Sequence, residues 1–138
     1  MAIEFTEDMV NALNNSRADG MLVTVATAGA AGVPDIAMKG SVMAFDKDHI
    51  AYWERALGTT FRNLKENPNV CLFYRNMPAR QVWKFFGVAE VHTEGAVRQR
   101  VMDRTIEAEL NMDPERKGAG IVIRIDKITQ GPQVLQER

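Results

Sequence analysis

Apolar residues recur along this chain with two different periods. Met9, Val10 and Leu13 fall at helical spacing behind Thr6-Glu7-Asp8, which predicts a first helix with Thr6 as its cap and its acids at the positive end. Ala18-Asp19-Gly20 is its expected stop, with Gly20 as a left-handed cap. Then the pattern changes. Met21–Ala26 is rich in Val, Leu and Thr and predicts a strand. Gly29 and Gly32 mark a hairpin turn, and residues 35–45 form the returning strand, interrupted at Lys39-Gly40-Ser41. His49–Trp53 is a third strand. Phe61 and Leu64 lie on the inner face of a short helix stopped by Asn67-Pro68. Val70–Tyr74 is nearly all apolar, which predicts a strand buried on both faces. Arg80–Val91 is a long strand with a bulge expected at Gly87, and 94–111 returns to helical spacing. Asp113–Gly118 is expected to be a solvated turn, Gly120–Ile125 a last strand, and the residues after Gln130 a loose tail or interface arm.

Strands joined by hairpins, with helices at the start and between later strands, predict an antiparallel barrel; an open α+β sheet is the alternative. The 138 residues suit a single domain, 1–138. A formal net charge of -1 offers nothing to nucleic acid or an anionic membrane, and no apolar run would span a bilayer. The first residues lack the pattern of a secretory signal. A lone cysteine, Cys71, leaves no internal disulfide and fits a reducing cytoplasm. His49 and His92 are far apart, so no zinc-type cluster is expected.

The candidate chemistry gathers between the third strand and the short helix, in Arg55-Ala56-Leu57-Gly58-Thr59-Thr60. Two hydroxyl residues at the first turn of a helix suit an anion, although plain helix capping accounts for them equally. Lys39 beside a strand glycine reads either as a solvent-facing charge or as a ligand contact. Gln81 reads as a strand-edge hydrogen bonder or a contact, and Trp53 and Trp83 as core or interface aromatics.

The order of these pieces resembles a known family. The run Arg62-Asn63-Leu64-Lys65-Glu66-Asn67-Pro68-Asn69-Val70 is similar to an "NL-x-x-NP-x-V" motif. Arg80-Gln81-Val82, Gly87 and Ala89-Glu90 are similar to an "RQV…G-x-A-E" strand. Over roughly residues 20 to 128 the chain resembles the FMN-binding split-barrel family related to pyridoxamine 5'-phosphate oxidase. The resemblance implies a mainly β fold, a six-stranded antiparallel split β-barrel of Greek-key type. With it go an N-terminal helix, a short helix after strand 3 and a helix before the last strand. It also implies a homodimer with FMN at the subunit interface. Carried over by position, Met38, Lys39 and Gly40 lie along the flavin, Trp53 and Glu54 end the strand beside it, Thr59 and Thr60 hold the phosphate, and Gln81 contacts the cofactor; Arg55, in the loop that follows the strand, is a further candidate contact. The chain departs from the pattern in three places. The phosphate positions are neutral, so Lys39, Arg55 or Arg62 must supply the charge. A lysine of the oxidase branch falls on Met43, and that branch's C-terminal tryptophan and arginine have no counterpart.

The resemblance therefore implies a flavin-dependent oxidoreductase that takes electrons from a reduced nicotinamide or similar donor and passes them to a small acceptor. No catalytic side chain is assigned, because the cofactor carries the chemistry. The alternatives are a non-enzymatic flavin or electron carrier, the same barrel holding a deazaflavin, haem or bilin, and a cofactor-free dimer.

Overall fold

The computed structural model describes residues 2–138. Helix α1 spans Glu7–Asn14, and Thr6 caps it, its hydroxyl accepting from Met9 N–H at 3.2 Å. It ends earlier than its spacing predicts. The Asn15 side chain donates to Asn11 O and the Ser16 hydroxyl to Leu13 O, so side chains take the last carbonyls. Turns then run to Gly20, which has the expected left-handed φ of 71°.

Eight strands follow among the described residues rather than six. They are β1 (Val23–Ala28), β2 (Pro34–Lys39), β3 (Met43–Ala44), β4 (His49–Glu54), β5 (Asn69–Asn76), β6 (Gln81–His92), β7 (Ala119–Gln130) and β8 (Gln133–Glu137). Two causes account for the difference. The predicted strand 35–45 breaks at Gly40 into β2 and β3, and the supposed tail pairs with β7 as β8. Helix α2 (Thr59–Glu66) lies between β4 and β5. The predicted helix 94–111 divides into α3 (Gly95–Arg104) and α4 (Glu107–Leu110), because the Thr105 hydroxyl turns back to Val101 O at 2.7 Å and its backbone becomes extended.

All pairings are antiparallel, in the order β2-β1-β5-β6-β7-β4-β3, with β8 beside β7. Strands β2 and β3 are consecutive in the chain yet stand at opposite ends of this order. The sheet must therefore curl until its two edges meet, and Gly40-Ser41-Val42 is the bridge between them. Ser41 fastens the bridge: its hydroxyl accepts from Trp53 N–H at 3.0 Å and donates to Trp53 O at 3.1 Å. The result is a split barrel closed by a crossover rather than by a continuous ladder. At Gly87 the β6–β7 register shifts, as the sequence predicts, and an added Cβ would stand 2.2 Å from Arg124 O.

Alternation along the strands fills the barrel. Val25, Ile50, Tyr52, Leu72, Tyr74, Phe85, Ile121, Ile123 and Ile125 point inward with Ile3, Phe5 and Leu13. A second, smaller cluster of Met43, Ala51, Trp53, Val101 and Val122 lies under α3. Strand β4 is therefore covered on both sides. Strand β5 is not: Cys71 and Phe73 are only half-buried, since among the described residues no helix packs substantially on it.

Candidate cofactor site

Where the barrel edges meet there is a cleft of about 340 Å³. Its floor is built by the β2–β3 crossover and the end of β4. Met38, Lys39, Gly40, Trp53, Glu54 and Arg55 all line it, so the closure of the sheet gathers these predicted residues into one place. Arg17, Glu109 and Met112 complete the rim.

Alternation sets which way each side chain points. Lys39 is opposite the buried Val23, and Glu54 follows the inward Ile50 and Tyr52 at the same period. Both therefore face the barrel interior at its mouth, and there they pair. Lys39 Nζ lies 3.0 Å from each carboxylate oxygen of Glu54, whose side chain is 2% exposed. The ammonium also stands 5.7 Å from the centre of the Tyr52 ring. Burial, and then the charge of Glu54, push the Tyr52 phenol well above its ordinary value.

A second ion pair crosses the rim, with Arg17 Nε 2.8 Å from Glu109 Oε2. The Glu109 carboxylate rests on Gly40, where an added Cβ would lie 2.8 Å from Oε2. A side chain at this position would push the flexible carboxylate off the crossover. Trp53 is clamped from behind. Its indole N–H donates to Asp113 Oδ2 at 2.9 Å, and the Arg98 guanidinium stacks 4.9 Å over the ring. Asp113 is thus buried and not part of a solvated turn. Burial alone would raise its pKa, but hydrogen bonds from Lys117 N–H, Trp53 and Gly118 N–H outweigh it and hold the carboxyl below its ordinary value.

The threonine turn lies just beyond the cleft. Gly58 is the N-cap of α2, and no side chain caps the first-turn N–H groups. Thr60 is buried, Thr59 is exposed, and neither caps the helix. Arg62 folds back so that its Nη2 donates to Thr59 Oγ1 at 3.1 Å, which brings a cation to the turn. The i,i+3 spacing of these two residues is the sequence signal for that contact. Leu57, immediately before, has a φ of 50°, unusual for a non-glycine residue. Arg55 is exposed and makes no ion pair among the described residues. Gln81 lies apart, in a smaller cleft of about 230 Å³ with Tyr74, Asn76 and residues of α1.

Met38 points the other way from Lys39, to the outside of the barrel. Cross-strand partners share a face, so Met38 and Ile36 of β2 stand beside Thr24 and Ala26, then Phe73 and Cys71, then Phe86. Ile36 is 72% and Met38 63% exposed, and the patch runs to the lip of the cleft.

The pyridoxamine 5'-phosphate oxidase family model matches residues 6–130. An uncharacterized protein of Methanocaldococcus jannaschii is 30% identical over 131 residues, a match covering 91% of this chain and 80% of that one. Among solved structures, HupZ of Group A Streptococcus is 27% identical with a TM-score of 0.72, over 96% of this chain and 94% of that chain. A candidate pyridoxamine 5'-phosphate oxidase from Lactobacillus delbrueckii has a TM-score of 0.73 at 24% identity, covering 92% of this chain and 94% of its own. An FMN-binding protein from Syntrophomonas wolfei has a TM-score of 0.68 at 15% identity, covering 95% and 88%. The last two, at such identities, share the fold.

Proposed function

The chain belongs to the pyridoxamine 5'-phosphate oxidase family of split-barrel proteins, and from that premise we propose that it binds FMN and acts as a flavin-dependent oxidoreductase. The observation that carries the reading is the assembly of Met38, Lys39, Gly40, Trp53, Glu54 and Arg55 around one cleft. These residues come from the ends of two separate strands and the loops that follow them, and the family resemblance assigns Met38, Lys39, Gly40, Trp53 and Glu54 to the cofactor. The Syntrophomonas wolfei neighbour, described as FMN-binding, adds support.

The residues present fit such a ligand. On the cleft floor Lys39 is matched with Glu54 and Arg17 with Glu109, which suits an uncharged ring, and Arg55, in the loop toward α2, is left without an ion-pair partner among the described residues. Anion-binding chemistry is found at the start of α2 instead. Uncapped N–H groups, the Thr59 hydroxyl and the Arg62 guanidinium converge there, and Arg55 is close by. From Ala56 on the cleft wall to Thr59 is three residues, at most about 11 Å of chain, so one ligand can reach both. Arg62 thus takes over the charge that Lys39, already engaged, cannot lend to a phosphate. Bound flavin would supply hydride and single-electron transfer between a reduced nicotinamide or similar donor and a small acceptor. The chain's own part is to hold the ring against Trp53, anchor the phosphate and exclude water.

The exposed patch through Ile36 and Met38 supports a homodimer that covers the cleft from outside. Purified protein should be yellow, and mass analysis of the released ligand should give FMN rather than a deazaflavin, haem or bilin. Thr59→Glu puts negative charge at the turn on an exposed position. It should weaken FMN binding at least about tenfold, as loss of a charge-assisted contact does, and leave riboflavin binding unchanged. Colourless protein that does not take up added FMN at micromolar concentration would overturn the reading. Steady-state oxidation of a reduced nicotinamide with a quinone acceptor separates an enzyme from a carrier.

A further inference from the structure

A lysine ammonium has three N–H donors. Two of those on Lys39 are spent on the Glu54 oxygens, each at 3.0 Å. The third has no acceptor among the described residues, yet Lys39 lines the cleft and keeps 14% of its side chain exposed. Apart from the exposed Arg55, the other polar side chains that line the cleft are committed. Ser41 both donates to and accepts from Trp53, the Trp53 indole N–H is taken by Asp113, and Glu109 is held by Arg17.

We infer that Lys39 directs its third N–H to an acceptor atom of the bound ring, a carbonyl oxygen or ring nitrogen, and that Glu54 is the positioning residue that fixes it there. This rests on the flavin reading above and deepens it, assigning Lys39 to the ring and not to the phosphate. Glu54 is desolvated and among the described residues meets no cation but Lys39, so Lys39 cannot swing out to a phosphate without leaving a buried carboxylate unpaired. Its two bonds to one carboxylate also remove the freedom of a four-carbon side chain, so the remaining donor is presented in a fixed direction.

The test compares ligands with and without a phosphate. The double variant K39M/E54Q removes both charges together while conserving bulk, which leaves no unpaired buried charge to unfold the barrel. Its affinities for riboflavin and for FMN should fall by the same factor, about tenfold or more, the ordinary size of a hydrogen bond from a charged donor. A loss confined to FMN would put Lys39 on the phosphate, and no loss for either ligand would make the pair a plug of the barrel end; both overturn the inference. Wild-type protein that binds neither ligand removes the flavin reading itself. Glu54 is tested separately by E54Q. With the carboxylate gone and Lys39 kept, an uncompensated positive charge faces the ring. The reduction potential of bound FMN should then shift upward, whereas an unmoved potential would reduce Glu54 to a structural role and overturn its assignment.

Discussion

The Asp113 carboxylate holds the back of the cleft, and the cost of removing it follows from its bonds. Oδ2 accepts from the Trp53 indole at 2.9 Å and from Gly118 N–H at 2.9 Å, while Oδ1 accepts from Lys117 N–H at 3.0 Å. Asp113→Asn can place its amide oxygen where Oδ2 stands. It then keeps the two buried bonds and loses the third together with the charge, which should cost about 1–2 kcal/mol. Asp113→Ala leaves all three donors without an acceptor. The Lys117 N–H is only partly buried and water can serve it, but the bonds of Trp53 and Gly118 are buried. Two unsatisfied buried donors cost about 2–6 kcal/mol, and the shallow position of Asp113 beneath its own loop favours a value of about 3 kcal/mol. Urea unfolding followed by far-UV circular dichroism gives both numbers. A near-UV band from the immobilised indole reports separately on Trp53 and should weaken in the alanine variant. Equal costs for the two variants, or an alanine variant within about 1 kcal/mol of wild type, would refute this account of the turn.

The same carboxylate predicts a pH dependence. Its pKa is depressed in the folded protein, so its stabilisation is complete above its ordinary value of 3.8 and is lost as pH falls through the folded value. The stability difference between wild type and Asp113→Asn should therefore shrink below that pH. Asp46, also depressed, titrates in the same window, which is why the difference between the two proteins, and not the wild-type curve, is the quantity to measure. At the β6 bulge, Gly87→Ala drives a Cβ into Arg124 O and Ile123 Cγ2. It should destabilise by about 1–3 kcal/mol or more, read in the same urea assay, with FMN affinity changed little because the bulge is remote from the cleft lining.

Local features of this fold were legible, and features made by closure were not. Thr6, Gly20, Gly87 and the break at Gly40 are each set by what one residue can do to its own backbone, and each stands where the sequence put it. The stretch 35–45 reads as one interrupted strand because nothing local says that its halves belong to opposite edges of the sheet. The ion pairs depend on that closure. Lys39 and Glu54 are 15 residues apart, Arg17 and Glu109 are 92 apart, and Trp53 and Asp113 are 60 apart. No periodicity connects them, so the resemblance could place Lys39 and Glu54 beside the cofactor without revealing that they bind each other. Asp113 reads as a solvated turn for the same reason, since its principal partner comes from another strand. The turn at Thr59 reads as a candidate anion site with Lys39, Arg55 or Arg62 as its cation, and of these three it is Arg62, the i,i+3 neighbour, that bonds to Thr59.

Met38 belongs at once to the cleft and to the exposed apolar face, and this ties ligand binding to association. If a second copy covers that face, it also covers the open side of the cleft, so each event should strengthen the other by the same factor. Ile36 separates the two effects. It stands on the same strand and face, 72% exposed, but does not line the cleft. Ile36→Glu places a charge in the middle of the patch, where burial against a second copy leaves it without a partner. Light scattering should find wild type dimeric and the variant monomeric. The variant should also bind FMN more weakly, by about tenfold, the scale of an ordinary coupling energy, although no residue in contact with the proposed ligand has changed. Dilution of the wild type should weaken binding in the same direction. A dimeric Ile36→Glu protein would assign the interface to another face. A monomer that binds FMN as tightly as wild type would mean that one chain completes the site alone.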